Sequence, residues 1–304
     1  MVYSFLATSA IAAIDRIRLL NQVQDLMKTY VHLLVVLTAL ISAKPFAQTK
    51  QLALFNGKDL TGWDTYIGPP LDDSGKKISN IPVGLNNDPN HVFTIVNNAG
   101  ENVIRISGEN WGGISTKSEY SNFHLQLMFK WGTLKWGQKK NKKRDSGLLY
   151  FCVGPHGADY GAWMRSQEFQ IEEGNCGDYW GVAGGTEDIP IIKRSDSEYV
   201  YDPSGNLTTF SATSAVGRHC VKRGDAENSS GEWNILDLYC NGDTSVHVIN
   251  GQVMMVLYHS AQMDSGNVSP LVKGKVQIQS EGAEVFYKRI TIEPLKSIPV
   301  HLLQ

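Results

Sequence analysis

Charge of one sign is scarce in this sequence. Its 304 residues hold 28 Lys and Arg against 30 Asp and Glu, a formal net charge of -2, so no overall field draws a polyanion and nucleic acid is not an expected partner. Cysteine is scarce as well. Cys152, Cys176, Cys220 and Cys240 are the whole set, and with no C-x-x-C pair among them zinc-type spacing is absent. An even count leaves both disulfides and buried free thiols open. There is no Ser-His-Asp signature, no phosphate loop and no clustered histidine motif. A divalent cation held by carboxylates remains compatible, because oxygen ligands leave little spacing signature, but the sequence names no ligands for one. Long hydrophobic runs are missing too. The apolar run over 33–41 is about half of the roughly 20 residues that a membrane-spanning helix needs.

That short run nevertheless has an order around it. Lys28 precedes it and Ala43-Lys44-Pro45-Phe46-Ala47 follows it before Gln48, the layout of a secretory signal peptide. The expectation is an initiator at Met27, a signal peptide over 27–47 cleaved near Ala47, and a secreted or periplasmic mature chain. Residues 1–26, with Ile11, Ile14, Ile17 and Leu20 in a weak helical pattern, are then an upstream extension outside the fold.

What the sequence does have is glycine, 29 residues of it, and 10% aromatics, a composition suited to tight turns and short strands. Phe123-His124-Leu125-Gln126-Leu127-Met128-Phe129-Lys130-Trp131 is apolar at every odd position, which predicts a strand with Phe123, Leu125, Leu127, Phe129 and Trp131 on a buried face. Residues 147–153 form a continuous apolar run of strand length, expected in the middle of a sheet. Asn250-Gly251 between Val246-His247-Val248-Ile249 and residues 252–257 predicts a hairpin with a type I′ turn. Residues 233–240, 275–279 and 285–292 add further strands, and no segment holds a 3.6-residue period. With no linker or repeat, residues 48–304 are expected to be one domain, an all-β sandwich of two antiparallel sheets.

Two rows of polar side chains stand out on these strands. In Glu168-Phe169-Gln170-Ile171-Glu172 the polar residues share one face, and Gln277, Gln279 and Glu281 repeat the arrangement near the end of the chain. Carboxylates can move protons or accept from sugar hydroxyls, and carboxamides can donate to a carbonyl oxygen. Any half-buried strand also alternates in this way, so a solvated face is the plainer alternative. Asp159, Tyr160, Trp163 and Arg165, with Asp178, Tyr179 and Trp180, flank the first row with rings that suit the apolar faces of sugars; Trp163 and Trp180 fit a core role equally well. The lysines over 139–143 read as a solvated loop. Arg144 and Asp145 sit at the mouth of the buried strand and His156 just past its other end.

At these residues the chain resembles the 3-keto-disaccharide hydrolase family, also described as 3-keto-glucoside lyase/hydratases. Leu54-Phe55-Asn56-Gly57-Lys58-Asp59-Leu60-Thr61-Gly62-Trp63 is similar to its opening motif, Asp145-Ser146-Gly147-Leu148-Leu149 to its central strand, and Glu168-Phe169-Gln170-Ile171 to its Glu-x-Gln-Ile row. Glu232-Trp233-Asn234, Asn250-Gly251, Gly274-Lys275-Val276-Gln277-Ile278-Gln279 and Phe286-Tyr287-Lys288-Arg289-Ile290 follow in order, over about residues 51–295. One departure is Gln279-Ser280-Glu281-Gly282, where members often carry Gln-x-His-Gly.

The resemblance implies a concanavalin A-like jelly roll that acts on sugars bearing a ketone at C3, a small-molecule substrate. The expected catalytic groups are Glu168 as base, Gln170 or Arg165 as donor to the enolate oxygen, and Glu281 as acid. Arg144, Asp145, His156, Trp163, Arg165 and Gln279 are expected to bind substrate. Two alternatives stand beside it. A retaining glycosidase of the concanavalin-like type would carry Asp where this chain has Gln170, and a lectin-like module would bind sugar without turning it over.

Overall fold

The computed structural model describes residues 18–28, 30, 51–196 and 198–304. Residues 18–28 are helical with exposed side chains, and among the described residues no helix is long and apolar enough to cross a membrane. Most of the expected signal peptide, Ala47 included, lies outside the described residues, as does most of the upstream extension.

Thr49–Gln304 is one compact unit. Its described strands join in two antiparallel sheets, of twelve and eight strands, and the two stack as the expected concanavalin A-like sandwich. In the larger sheet the Phe123–Lys135 strand runs between Asn234–Asn241 and Ala283–Pro294. Phe123, Leu125, Leu127, Phe129 and Trp131 are only 0–3% exposed, as their period of two requires. They pack in one apolar cluster with Leu148, Phe169, Ile171, Val276 and Ile278 of the smaller sheet. Each such side chain contributes roughly 1.5–3 kcal/mol when buried, which is what holds the sheets face to face.

Local chemistry sets the corners. Asn250 and Gly251 have φ of 49° and 79°, so the pair makes the type I′ hairpin joining Thr244–Ile249 to Gln252–Asp264. The Asn250 carboxamide accepts from the Ile235 N–H and donates to Asn234 Oδ1, both at 2.8 Å, which ties the turn to the preceding strand, Asn234–Asn241. All four cysteines are free and buried.

The smaller sheet runs, edge to edge, through His219–Cys220, Tyr179–Val182, Arg165–Glu172, Asp145–Val153, Lys275–Ser280, Gly112–Thr116, Trp63–Ile67 and Gly84–Leu85. Asp145–Val153 therefore lies in the middle, and eight of its nine residues are buried. Its apolar run serves two faces. Leu148 belongs to the cluster between the sheets, while Leu149 belongs to a second cluster with Trp163, Met164 and Val182 on the outer face.

Candidate active site

Three neighbouring strands of the smaller sheet bring the two polar rows together. Asp145 pairs with Glu172, Gly147 with Gln170 and Leu149 with Glu168. On the other side Gln277 pairs with Leu149, and continuing that antiparallel register sets Gln279 beside Gly147. Because alternate side chains point the same way, Gln170 and Gln279 flank Gly147 directly, and Glu172, Asp145 and Glu281 gather at one end of the row. Gly147 has no side chain to separate them: a methyl there would collide with the Glu168 and Gln279 side chains.

Above these rows lies a cavity of about 620 Å³ lined by Asp145, Glu168, Gln170, Glu172, Gln279 and Glu281. Its walls carry Trp111, Tyr160, Trp163 and Trp180. Trp163 lines the cavity and is also packed into the fold. It is 4% exposed and donates from Nε1 to the Gly112 carbonyl at 2.9 Å, and its ring stacks on Trp111 at 5.4 Å. A smaller cavity of about 210 Å³ shares Leu71, Gly75, Trp111 and Gln138 with the first and is bounded by Gly282, the residue after Glu281.

Crowding of carboxyl groups away from water governs their protonation. Burial, with Asp145 adding to it, holds Glu168 well above the usual carboxylate range, while Arg218 and the neighbouring Gln279 pull the other way. Glu281 is likewise pushed well up by desolvation and by Asp145, against Lys139. Burial pushes Asp145 up to about 7 against the pull of Lys139. Three buried oxygens, Asp145 Oδ1, Gln170 Oε1 and Gln279 Oε1, have no hydrogen-bond partner, so acceptors stand ready at the floor for donors on a ligand.

Three residues expected to bind substrate do not line this cavity, and neither do Gln277, Asp178 and Tyr179. Arg144 bridges to Glu173 at 2.8 Å and donates to the Gly132 carbonyl. Arg165 donates to the Ala183 carbonyl at 2.8 Å and pairs with Asp264 at 3.1 Å. His156 stacks on Tyr66 at 5.0 Å, where burial and Lys275 hold its imidazole below the usual value. Closeness to a strand end in sequence does not say which way a side chain turns.

Others were missed. Lys139, read as part of a solvated run, is in contact with Asp145 and lies 3.6 Å from Glu172; its distance from these acids in sequence gave no sign of the pairing. Arg218 pairs with Asp159 at 2.7 Å and lies 5.8 Å from the Tyr160 ring and 5.5 Å from Trp180, so it braces two walls. Trp111 carried no local signal at all. Among the described residues no group of three or more His, Cys, Asp or Glu side chains is arranged to hold a metal ion.

Indole-walled clefts floored by carboxylates and carboxamides on a two-sheet sandwich suit carbohydrate ligands, and a carbohydrate-acting enzyme is the class that this fold and site define. The chain belongs to the 3-keto-alpha-glucoside-1,2-lyase-like domain family, whose model matches residues 50–293. No curated protein matches the sequence. Similar solved structures include two proteins from Parabacteroides distasonis, both provisionally assigned as glycosyl hydrolases. One is 17% identical with a TM-score of 0.43, over 84% of this chain and 98% of that one. The other is 19% identical with a TM-score of 0.46, over 81% of this chain and 100% of that one. LamAcat from Zobellia galactanivorans is 12% identical with a TM-score of 0.39, over 82% of this chain and 98% of that one.

Proposed function

We propose that this protein cleaves glycosides already oxidised to a ketone at C3. The ketone acidifies the proton on C2. Glu168 takes that proton, the electron pair passes into the C1–C2 bond, and the bond from C1 to the leaving oxygen breaks as Glu281 gives that oxygen a proton. Water then adds at C1 of the resulting enone and a proton returns to C2, a net hydrolysis. Charge that develops on the C3 oxygen needs a donor. Gln170 supplies it from the same cavity, whereas Arg165 is committed to Ala183 and Asp264. The smaller cavity beyond Glu281 is the place for the departing group.

The observation that carries this is the sharing of one cavity by Glu168, Gln170, Gln279 and Glu281, residues that come from two stretches far apart in sequence. A retaining glycosidase would hold an ionisable group between Glu168 and Glu172. Gln170 stands there instead, and a carboxamide cannot trade protons with its neighbours. A lectin needs polar groups but gains nothing from carboxyl groups forced out of their ordinary titration range, which are the mark of acid–base chemistry.

The test is turnover of matched 3-keto and plain glycosides by the purified protein. Release of the C1 substituent from the 3-keto compounds alone is expected. Hydrolysis of the plain glycosides alone, or binding with no turnover of either, would overturn the assignment.

A further inference from the structure

Of the basic run that begins at Lys139, Lys139 alone lines the cavity. Lys140 donates to the Asp73 carbonyl and Lys143 to Asn175, while Arg144 holds Glu173. Lys139 is delivered by the short 3-10 turn Gly137–Asn141. The Trp136 N–H just before that turn donates to the Gly282 carbonyl at 2.8 Å, which docks the turn on the corner that follows Glu281. Gly282, with φ of 77°, leaves a notch there: the Cγ of Lys139 lies 2.8 Å from where a side chain would begin. The stem fills the notch and the ammonium ends at Asp145 Oδ2, with Glu172 Oε1 3.6 Å away. Asp145 Oδ1 is left buried and unpartnered.

We propose that Lys139 is a positioning residue for the reaction, its ammonium the built-in counter-charge that favours the ionised form of Asp145 and so leaves the proton of the cluster on Glu281. This rests on the function proposed above. Four carboxyl groups, Asp145, Glu168, Glu172 and Glu281, face one confined space and cannot all ionise, since each added anion raises the cost of the next. An opposite charge in contact stabilises the ionised form. Lys139 touches or nearly touches two of the four, and Asn175 donates to Glu172 Oε2 at 2.5 Å. The other cation facing Glu168 is Arg218, already paired with Asp159; Lys76 and Lys77 stand at the rim. In keeping with this division, Asp145, Glu281 and Glu172 together lift the Lys139 ammonium above its usual value although burial opposes them.

Lys139→Met tests this because methionine keeps an unbranched stem for the Gly282 notch and removes the charge. The carboxyl carbons of Asp145 and Glu281 are titrated by NMR in the full chain without substrate, and kcat and KM on a 3-keto glycoside are followed against pH. Removal of the charge should move the Asp145 midpoint upward by about one pH unit or more. It should lower kcat about tenfold or more with KM little changed, and carry the pH profile in the same direction. Lys139→Arg should keep most of the activity, and Lys142→Met should change nothing. Unchanged midpoints in Lys139→Met, or a fall in activity that Lys139→Arg shares with no movement of the pH profile, would overturn the proposal. The NMR readout needs no turnover. If the midpoints move and no 3-keto glycoside is cleaved, the charge division stands and the proposed reaction falls.

Discussion

At the scale of single residues, Glu168 is the side chain on which the chemistry turns. Replacing it with Gln keeps the shape and removes the basic oxygen, so Glu168→Gln should lower turnover of a 3-keto glycoside by roughly a hundredfold or more, the usual contribution of a general base. Its environment also sets a pH dependence. A base must be ionised, and burial with the Asp145 charge holds this carboxyl well above its ordinary 4.5. Activity is therefore lost as pH falls through that raised value. The ascending limb of kcat/KM should sit well above 4.5, and a limb at the ordinary carboxylate value would show that Glu168 is not the base. Alternation alone made Glu168 and Gln170, and likewise Gln279 and Glu281, legible as pairs sharing a face. Nothing local could reveal Lys139 or Arg218, because a lysine in a basic run looks the same whether it faces water or a buried acid.

At the scale of elements, the strongest local signals were those whose physics is contained in a few residues. Asn250-Gly251 is an example, since the positive φ angles its turn needs are available at little cost to Asn and Gly and to few other pairs. Register across strands is not local in that sense. Which residue of Lys275–Ser280 lies beside Gly147 depends on a pairing closed over more than a hundred positions. The consequence of that register is testable. Gly147→Ala would thrust a methyl between Glu168 and Gln279 within a largely buried strand. Overpacking of this kind costs about 1–3 kcal/mol, which a sandwich of this size tolerates, yet it pushes the base and its neighbour apart. Activity should drop at least about tenfold while the circular dichroism spectrum stays that of the parent. Full activity in Gly147→Ala would mean that the glycine is not what lets the rows converge.

For the whole molecule, the period of two and the continuous apolar run were enough to predict stacked sheets, and the order of motifs supplied the particular sandwich. Neither could expose Glu187. It sits in the Gly185–Ser195 strand of the larger sheet, 0% exposed, near Ser260 and Tyr150 and with no ion-pair partner among the described residues. Burial first, then the charges of Asp243 and Asp188, hold its carboxyl well above 4.5. The folded protein therefore keeps this proton at pH values where the unfolded chain has lost it. Stability from that source is fully present below about 4.5 and declines as pH rises toward the folded value, by about 1.4 kcal/mol per pH unit. Glu187→Gln cannot ionise and escapes the decline. Between pH 5.5 and 7 the stability of Glu187→Gln relative to the parent, from urea unfolding, should therefore shift in favour of the variant, whatever the substitution costs at either pH alone. A difference between the two proteins that is the same at both pH values would show that Glu187 is already ionised in the fold, and that the core between the sheets holds a charge.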